Sequence, residues 1–327
     1  GPLQRDANRT MAAMLRIVFM GTPDFAVPTL DALLHSRHTV VGVVTQPDRP
    51  RGRGQKTTDA PVKATAAAAG IPILQPTQMK DEGFLAQLAE FRADLGVVAA
   101  YGRILTERML AMPRLGMVNV HASLLPRYRG AAPVHRAVIA GDAETGVTIM
   151  RVVRALDAGP ILATALRPIK DEDTSVDVER DLARVGATLL VSTIDTVIAE
   201  GAQGTPQDDA LATYASRLTK EDGVIDWNAS ASGVHNLIRG LHPWPHAYTF
   251  LAGHRFILHR SRVASSSLSS ETVPGTVIEA AGERLSVATG EGALEVLLLQ
   301  AEGKRPMTPR EFLAGHRWTL GDRFSRA

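Results

Sequence analysis

Two short apolar runs, Leu15–Met20 (LRIVFM) and Thr39–Thr45 (TVVGVVT), flank a stretch whose apolar residues Phe25, Val27, Leu30, Leu33 and Leu34 recur at helical spacing. Neither run alternates with polar residues, so each reads as a strand buried on both faces. Strand, helix and strand at this spacing form a βαβ unit, which commits the chain to a parallel sheet. Gly21 is the turn residue after the first strand. Thr22 is placed to cap the helix, Pro23 suits its first position and Asp24 favours its positive end, so the helix is expected from Thr22-Pro23-Asp24 to about Ser36.

The alternation continues downstream. Val62–Ala69 and Gly83–Phe91 read as helices, Ile71–Leu74 as a short strand, and Leu95–Ala100 and Gly116–Ser123 as buried strands. Gly130–Ala140 is expected to be helical, Gly146–Val153 and Pro160–Pro168 an antiparallel pair, and Thr174–Ala199 a long amphipathic helix. Gln46–Pro61 breaks the pattern and reads as an exposed loop carrying Arg49, Arg51, Arg53 and Lys56. Residues 201–218 have no clear period and carry Gly, Pro and Gln, as a linker between domains does. After a helix around Ser230–Arg239 come short β-like runs at Ala247–Leu251, His254–Leu258, Gly275–Glu279, Leu285–Ala288 and Ala293–Gln300, the pattern of a small barrel. The expected division is therefore a first domain over 14–200, a linker over 201–218 and a second domain over 219–327. Residues 1–13 read as an expression leftover outside the fold, with the native start at Met11 or Met14.

Composition narrows the chemistry. The 327 residues suffice for two domains. There is no cysteine, which excludes disulfides, thiolate catalysis and Cys-ligated zinc. The net charge is only +2, so nucleic-acid binding would need a local basic patch rather than a polycationic chain. No apolar run approaches the length of a membrane span, and the N-terminus has no apolar signal segment. No H-E-x-x-H or other paired histidine ligands stand out, and no metal is expected.

Open parallel sheets bind ligands beyond the carboxyl ends of their strands, here Gly21–Asp24, Ala100–Ile104 and Asn119–Arg129. Asn119 and His121 lie two apart on a strand and so face the same side. Asparagine can donate to a developing oxyanion and histidine can relay a proton near neutral pH. On its own, N-x-H reads first as a hydrogen-bonded core pair. Asp157, in the turn Leu156–Pro160, reads first as a turn former, and gains a role only if folding brings its carboxylate to His121. Gly21–Asp24 lacks the full G-x-G-x-x-G pattern and gives a dinucleotide little support. The basic loop interleaves Arg51 and Arg53 with Gly52 and Gly54, which suits contacts to several phosphates.

The stretch Asn119-Val120-His121-Ala122-Ser123-Leu124-Leu125-Pro126-Arg127-Tyr128-Arg129-Gly130-Ala131-Ala132-Pro133, followed by Asp157-Ala158-Gly159, resembles the 10-formyltetrahydrofolate-dependent formyltransferases. FMGTPDF (19–25), TQPDRP (45–50) with Gly52-Arg53-Gly54, AYGRIL (100–105), Ile225-Asp226-Trp227 and His242-Pro243-Trp244-Pro245 resemble the members that formylate methionyl initiator tRNA. The resemblance runs from about Leu15 to the C-terminus. It implies an α/β Rossmann-like N-terminal domain with a mostly parallel sheet, followed by a C-terminal OB-fold-like β-barrel. It implies 10-formyltetrahydrofolate as co-substrate, with no metal, and Asn119, His121 and Asp157 as the catalytic set. The pterin would lie against Tyr101, Gly102, Ile104, Ser123, Leu124, Leu125 and Pro126, and the tRNA against Arg51, Arg53 and Lys56. Thr106 stands where the family commonly has proline, and Ala122 where it often has glycine. A cytoplasmic monomer is the default expectation. The rival readings are a formyltransferase for a small amine, a tRNA-binding protein with an inactive enzyme domain, and a nicotinamide dehydrogenase.

Overall fold

The computed structural model describes residues 13–51, 54, 56–265 and 271–327. From the N-terminus, β1 (Arg16–Gly21) leads through α1 (Val27–Leu34) to β2 (Thr39–Val44). An antiparallel pair of two-residue strands follows, β3 (Pro50–Arg51) with β4 (Lys56–Thr57), where a plain loop is expected from sequence. Then come α2 (Pro61–Ala68), β5 (Ile73–Leu74), α3 (Glu82–Glu90), β6 (Leu95–Ala99), α4 (Glu107–Ala111) and β7 (Met117–His121). β8 (Arg129–Gly130), α5 (Pro133–Ile139), β9 (Glu144–Arg151), β10 (Ile161–Pro168) and α6 (Ser175–Thr193) complete this part.

The strands form one sheet in the order β10-β9-β7-β6-β1-β2-β5. β1 pairs in parallel with β2 and β6, as do β2 with β5 and β6 with β7, while β7 meets β9 antiparallel. The sheet is therefore mixed but mostly parallel. Its strand order reverses direction between β1 and β6, which opens a crevice at their carboxyl ends. Ile17, Phe19, Leu95 and Val97 are fully buried, as strands covered on both faces require.

One local expectation changes, and two local features are not foreseen. Thr22 does not cap a helix: its Oγ1 accepts from the backbone N–H of Gln46 (3.2 Å) and from the Thr45 hydroxyl (3.3 Å). The hydroxyl is held by the end of β2, so the chain makes a 3-10 turn at Asp24–Ala26 before α1 begins. Thr106 caps α4, accepting from Met109 N–H (3.3 Å); this short helix has no periodic signal in the sequence. Within 201–218, β11 (Tyr214–Ala215) pairs with β8, and Thr205 bridges Ile161.

The chain divides into two compact units that cut across its order. The first comprises the described residues through Gly130 with Gly146–Arg167 and Glu179–Tyr214; the second comprises Ala131–Thr145, Pro168–Val178 and Ala215–Ala327. In the second unit α7 (Ala231–Gly240) ends on a carbonyl that both α5 and the start of α6 reach. Gly240 O receives His135 Nδ1 (2.8 Å) and Ser175 Oγ (2.6 Å). β12 (Ala247–Leu251), β13 (His254–Ala264), β14 (Val277–Ala281), β15 (Arg284–Ala288) and β16 (Ala293–Ala301) form an antiparallel sheet in the order β12-β13-β16-β15-β14, followed by α8 (Pro309–Gly315). The C-terminal segment joins its two edges: Ser325 exchanges hydrogen bonds with Phe250 of β12, and Asp322 O accepts from Val277 of β14. Both edges are thereby covered. Trp227, Phe256, Phe312 and Phe324 fill the interior, with Trp227 and Phe324 stacked at 5.6 Å.

Candidate active site

β7 carries Asn119 and His121 on one face, and its neighbours fix where they lie. Asn119 sits opposite Val98 of β6 and Met150 of β9; His121 sits opposite Thr148. The Asn119 carboxamide has no hydrogen-bond partner among the described residues, so it is not half of a core pair with His121. His121 is buried, and its two ring nitrogens face different acceptors. Nε2 lies 2.9 Å from the carbonyl oxygen of Tyr128, and Nδ1 lies 3.7 Å from Oδ2 of Asp157. A carbonyl only accepts, so the hydrogen must be on Nε2. Nδ1 is left facing the carboxylate.

The loop after β7 is held from β9. Thr148 Oγ1 donates to Ser123 O (2.7 Å) and accepts from Leu125 N–H (3.1 Å). Asp157 is held by its own fold: Oδ2, the oxygen nearest His121, accepts from Gly130 N–H (2.8 Å). Gln207 Nε2 donates to the carbonyls of Asp157 (2.8 Å) and Gly159 (2.7 Å). The buried Arg129 guanidinium in turn donates to Gln207 Oε1 (2.8 Å) and to Asp209 (2.7 Å). At Gly159 a Cβ would lie 1.7 Å from Arg151 O, so no side chain fits there. Ala100, Tyr128 and Asp157 all have positive φ (50°, 58° and 51°). Such strain in non-glycine residues persists only where surrounding bonds over-determine it, and it gathers at functional sites. Sequence reasoning finds neither Gln207, Arg129 nor Thr148, because their roles depend on contacts 23 to 80 residues away along the chain.

The residues expected around a pterin divide. Ile104 is 78% exposed, and Gly102 is exposed with φ +85°, so both border open space near the end of β6. Leu124 and Pro126 are half-buried and Leu125 buried. Two more of the residues have buried side chains. Tyr101 is only 2% exposed, in a core with Met20, Val44 and Met79; its hydroxyl reaches Met79 Sδ (3.8 Å), and burial pushes its pKa up to about 12. Only its backbone borders the crevice, where its carbonyl accepts from Gln46 Nε2 (3.0 Å). Ser123 is fully buried and donates to Arg127 O (2.7 Å), which holds the loop. Arg51 lies on β3 and Lys56 on β4, whose backbones pair; Arg53 lies outside the described residues. The sequence shows no paired histidine ligands, but folding brings three histidines together. His242, His246 and His259 come together in the second unit, where burial, with the His259 and His242 rings beside it, pushes His246 down to about 4.

The formyl transferase family model matches residues 15–194, and the formyl transferase C-terminal domain model matches residues 217–317. A methionyl-tRNA formyltransferase of Moorella thermoacetica is 48% identical over 308 residues, spanning 94% of this chain and 98% of that protein. One of Halalkalibacterium halodurans is 47% identical over 302 residues, spanning 92% and 95%. Among solved structures, the sugar 3N-formyl transferase WlaRD, described in the presence of dTDP and 5-N-formyl-THF, superposes with a TM-score of 0.66 at 19% identity. That match covers 90% of this chain and all of that one, and it is a likeness of fold.

Proposed function

The chain belongs to the formyl transferase family, in its methionyl-tRNA formyltransferase branch, and from that premise we propose how its residues carry the reaction. The enzyme formylates the amino group of methionyl initiator tRNA. The donor is 10-formyltetrahydrofolate, which brings an activated formyl carbon. What supports this reading is one arrangement: Asn119 without a partner, beside a buried His121 whose Nδ1 faces Asp157. The exposed apolar Ile104 and the open backbone at Gly102 suit the flat face of a pterin.

Asn119 donates to the formyl oxygen as negative charge develops there, a task for which an otherwise unbonded carboxamide is preorganised. His121, held between Tyr128 O and Asp157 beside Asn119, stabilises the tetrahedral intermediate and relays the proton lost by the attacking amine to the departing nitrogen. Asp157 orients the ring. The remaining contribution is alignment of amine and formyl carbon. Arg51, Arg53 and Lys56 take tRNA phosphates, and the protein works in the cytoplasm. Among the described residues no helix is long and apolar enough to cross a membrane.

The test is formyl transfer from 10-formyltetrahydrofolate to methionyl initiator tRNA, beside uncharged tRNA and a small amine. Transfer to charged tRNA alone is expected. Transfer to the small amine with none to tRNA would keep the chemistry and overturn the acceptor.

A further inference from the structure

We propose that His242, His246 and His259 form a binding site for one borderline divalent transition ion, with zinc the first choice. The three come from two elements of the second unit. His242 and His246 lie in the loop that leaves α7, and His259 is on β13. The loop is closed by His246 N–H donating to Leu241 O (3.0 Å). One ring nitrogen of each residue lies within 4.8 Å of one from each of the others. Ring centroids are 4.6 Å apart for His246 and His259 and 5.5 Å for His242 and His246. Zinc–nitrogen bonds of about 2.0 Å put ligand nitrogens roughly 3.3 Å apart in a tetrahedral shell, so small ring rotations bring these three to coordination distance.

Two further observations point to an ion. Nδ1 of His242 and Nδ1 of His246 are buried without any hydrogen-bond partner, which is costly for lone pairs that nothing uses. His259 is oriented as a ligand is. Gln300 Nε2 donates to Lys304 O (2.7 Å), which fixes the amide's orientation and leaves Gln300 Oε1 to accept from His259 Nε2 (2.7 Å). The ring hydrogen is thus on Nε2, and the Nδ1 lone pair is free; metal-bound histidines are commonly held this way. Three imidazoles with no carboxylate select zinc, copper or nickel over magnesium or calcium. A bound ion would clip the loop after α7 to β13.

The experiment uses the full chain without a histidine tag, stripped by chelator. Cobalt is titrated by visible absorption and zinc by calorimetry. One equivalent is expected, with the intense bands of tetrahedral cobalt and a zinc-dependent rise in the thermal midpoint. The double substitution His242→Asn with His246→Asn should abolish all three. Gln300→Ala should weaken binding by about 10- to 100-fold. No stoichiometric binding, or binding that survives the double substitution, overturns the site. Should the substituted chain fail to fold, X-ray absorption of the zinc-loaded unsubstituted chain decides: an imidazole shell supports the proposal, and an oxygen-only shell overturns it.

Discussion

At the scale of single residues, the site turns on which hydrogens His121 carries. Its Nε2 donates to Tyr128 O, and its Nδ1 faces the Asp157 carboxylate at 3.7 Å, which holds the ring's orientation. Asp157→Asn keeps an oxygen for the Gly130 N–H and removes the charge, and its amide can then donate to a neutral Nδ1. Turnover should fall on the order of a hundredfold with folding nearly unchanged, read by steady-state kinetics beside thermal unfolding; equal activity would remove Asp157 from the mechanism. Gln207 is a positioning residue: among the described residues its side chain hydrogen-bonds the carbonyls of the Asp157 turn and the Arg129 guanidinium. Gln207→Ala leaves those groups unsatisfied, at a cost of about 1–3 kcal/mol, and should lower kcat more than it raises KM. The sequence shows Asn119 and His121 on one face by strand periodicity alone. It does not show that Asp157 reaches His121, because that contact runs through a turn held by residues far along the chain.

At the scale of elements, strands were legible and their supports were not. The apolar runs that became β1, β2, β6 and β7 have no other good home than a buried parallel sheet, and the crevice follows from their order. Helix starts were less legible: Thr22 had the right residue type for a cap, yet its hydroxyl serves the end of β2. Tyr101 is similar, since the motif does not show that its ring turns into the core. Asp94 shows how elements are joined at the opposite end of the sheet. Burial raises its pKa, but the Arg16 N–H (2.8 Å) and Arg114 Nε (2.9 Å) outweigh that and hold it below the ordinary 3.8. A carboxylate depressed in the folded state adds stability above its unfolded pKa and loses it as pH falls through the folded value. Asp94→Asn should therefore lower the thermal midpoint at pH 7 and shrink the difference from wild type below about pH 4. A midpoint difference that stays constant across that range would sink the assignment.

At the scale of the molecule, the chain couples a crevice for a small donor to a large anionic acceptor while carrying a net charge of only +2. Recognition of tRNA must therefore be local, and the basic hairpin region is the place the sequence offers for it. Replacing Arg51, Arg53 and Lys56 together by alanine should flatten the slope of log K against log salt by about 2 for the charged tRNA, measured by filter binding over a salt series, with an unchanged slope assigning the phosphates elsewhere. The division into compact units, with α5 grouped alongside α7, is a feature that no local sequence signal announces. The most direct test of the whole account is the single-turnover rate of formyl transfer to methionyl initiator tRNA by Asn119→Ala at saturating tRNA and folate. Loss of the oxyanion donor predicts a fall of about a hundred- to a thousandfold with both substrates still bound; a rate near that of the unsubstituted enzyme would contradict it.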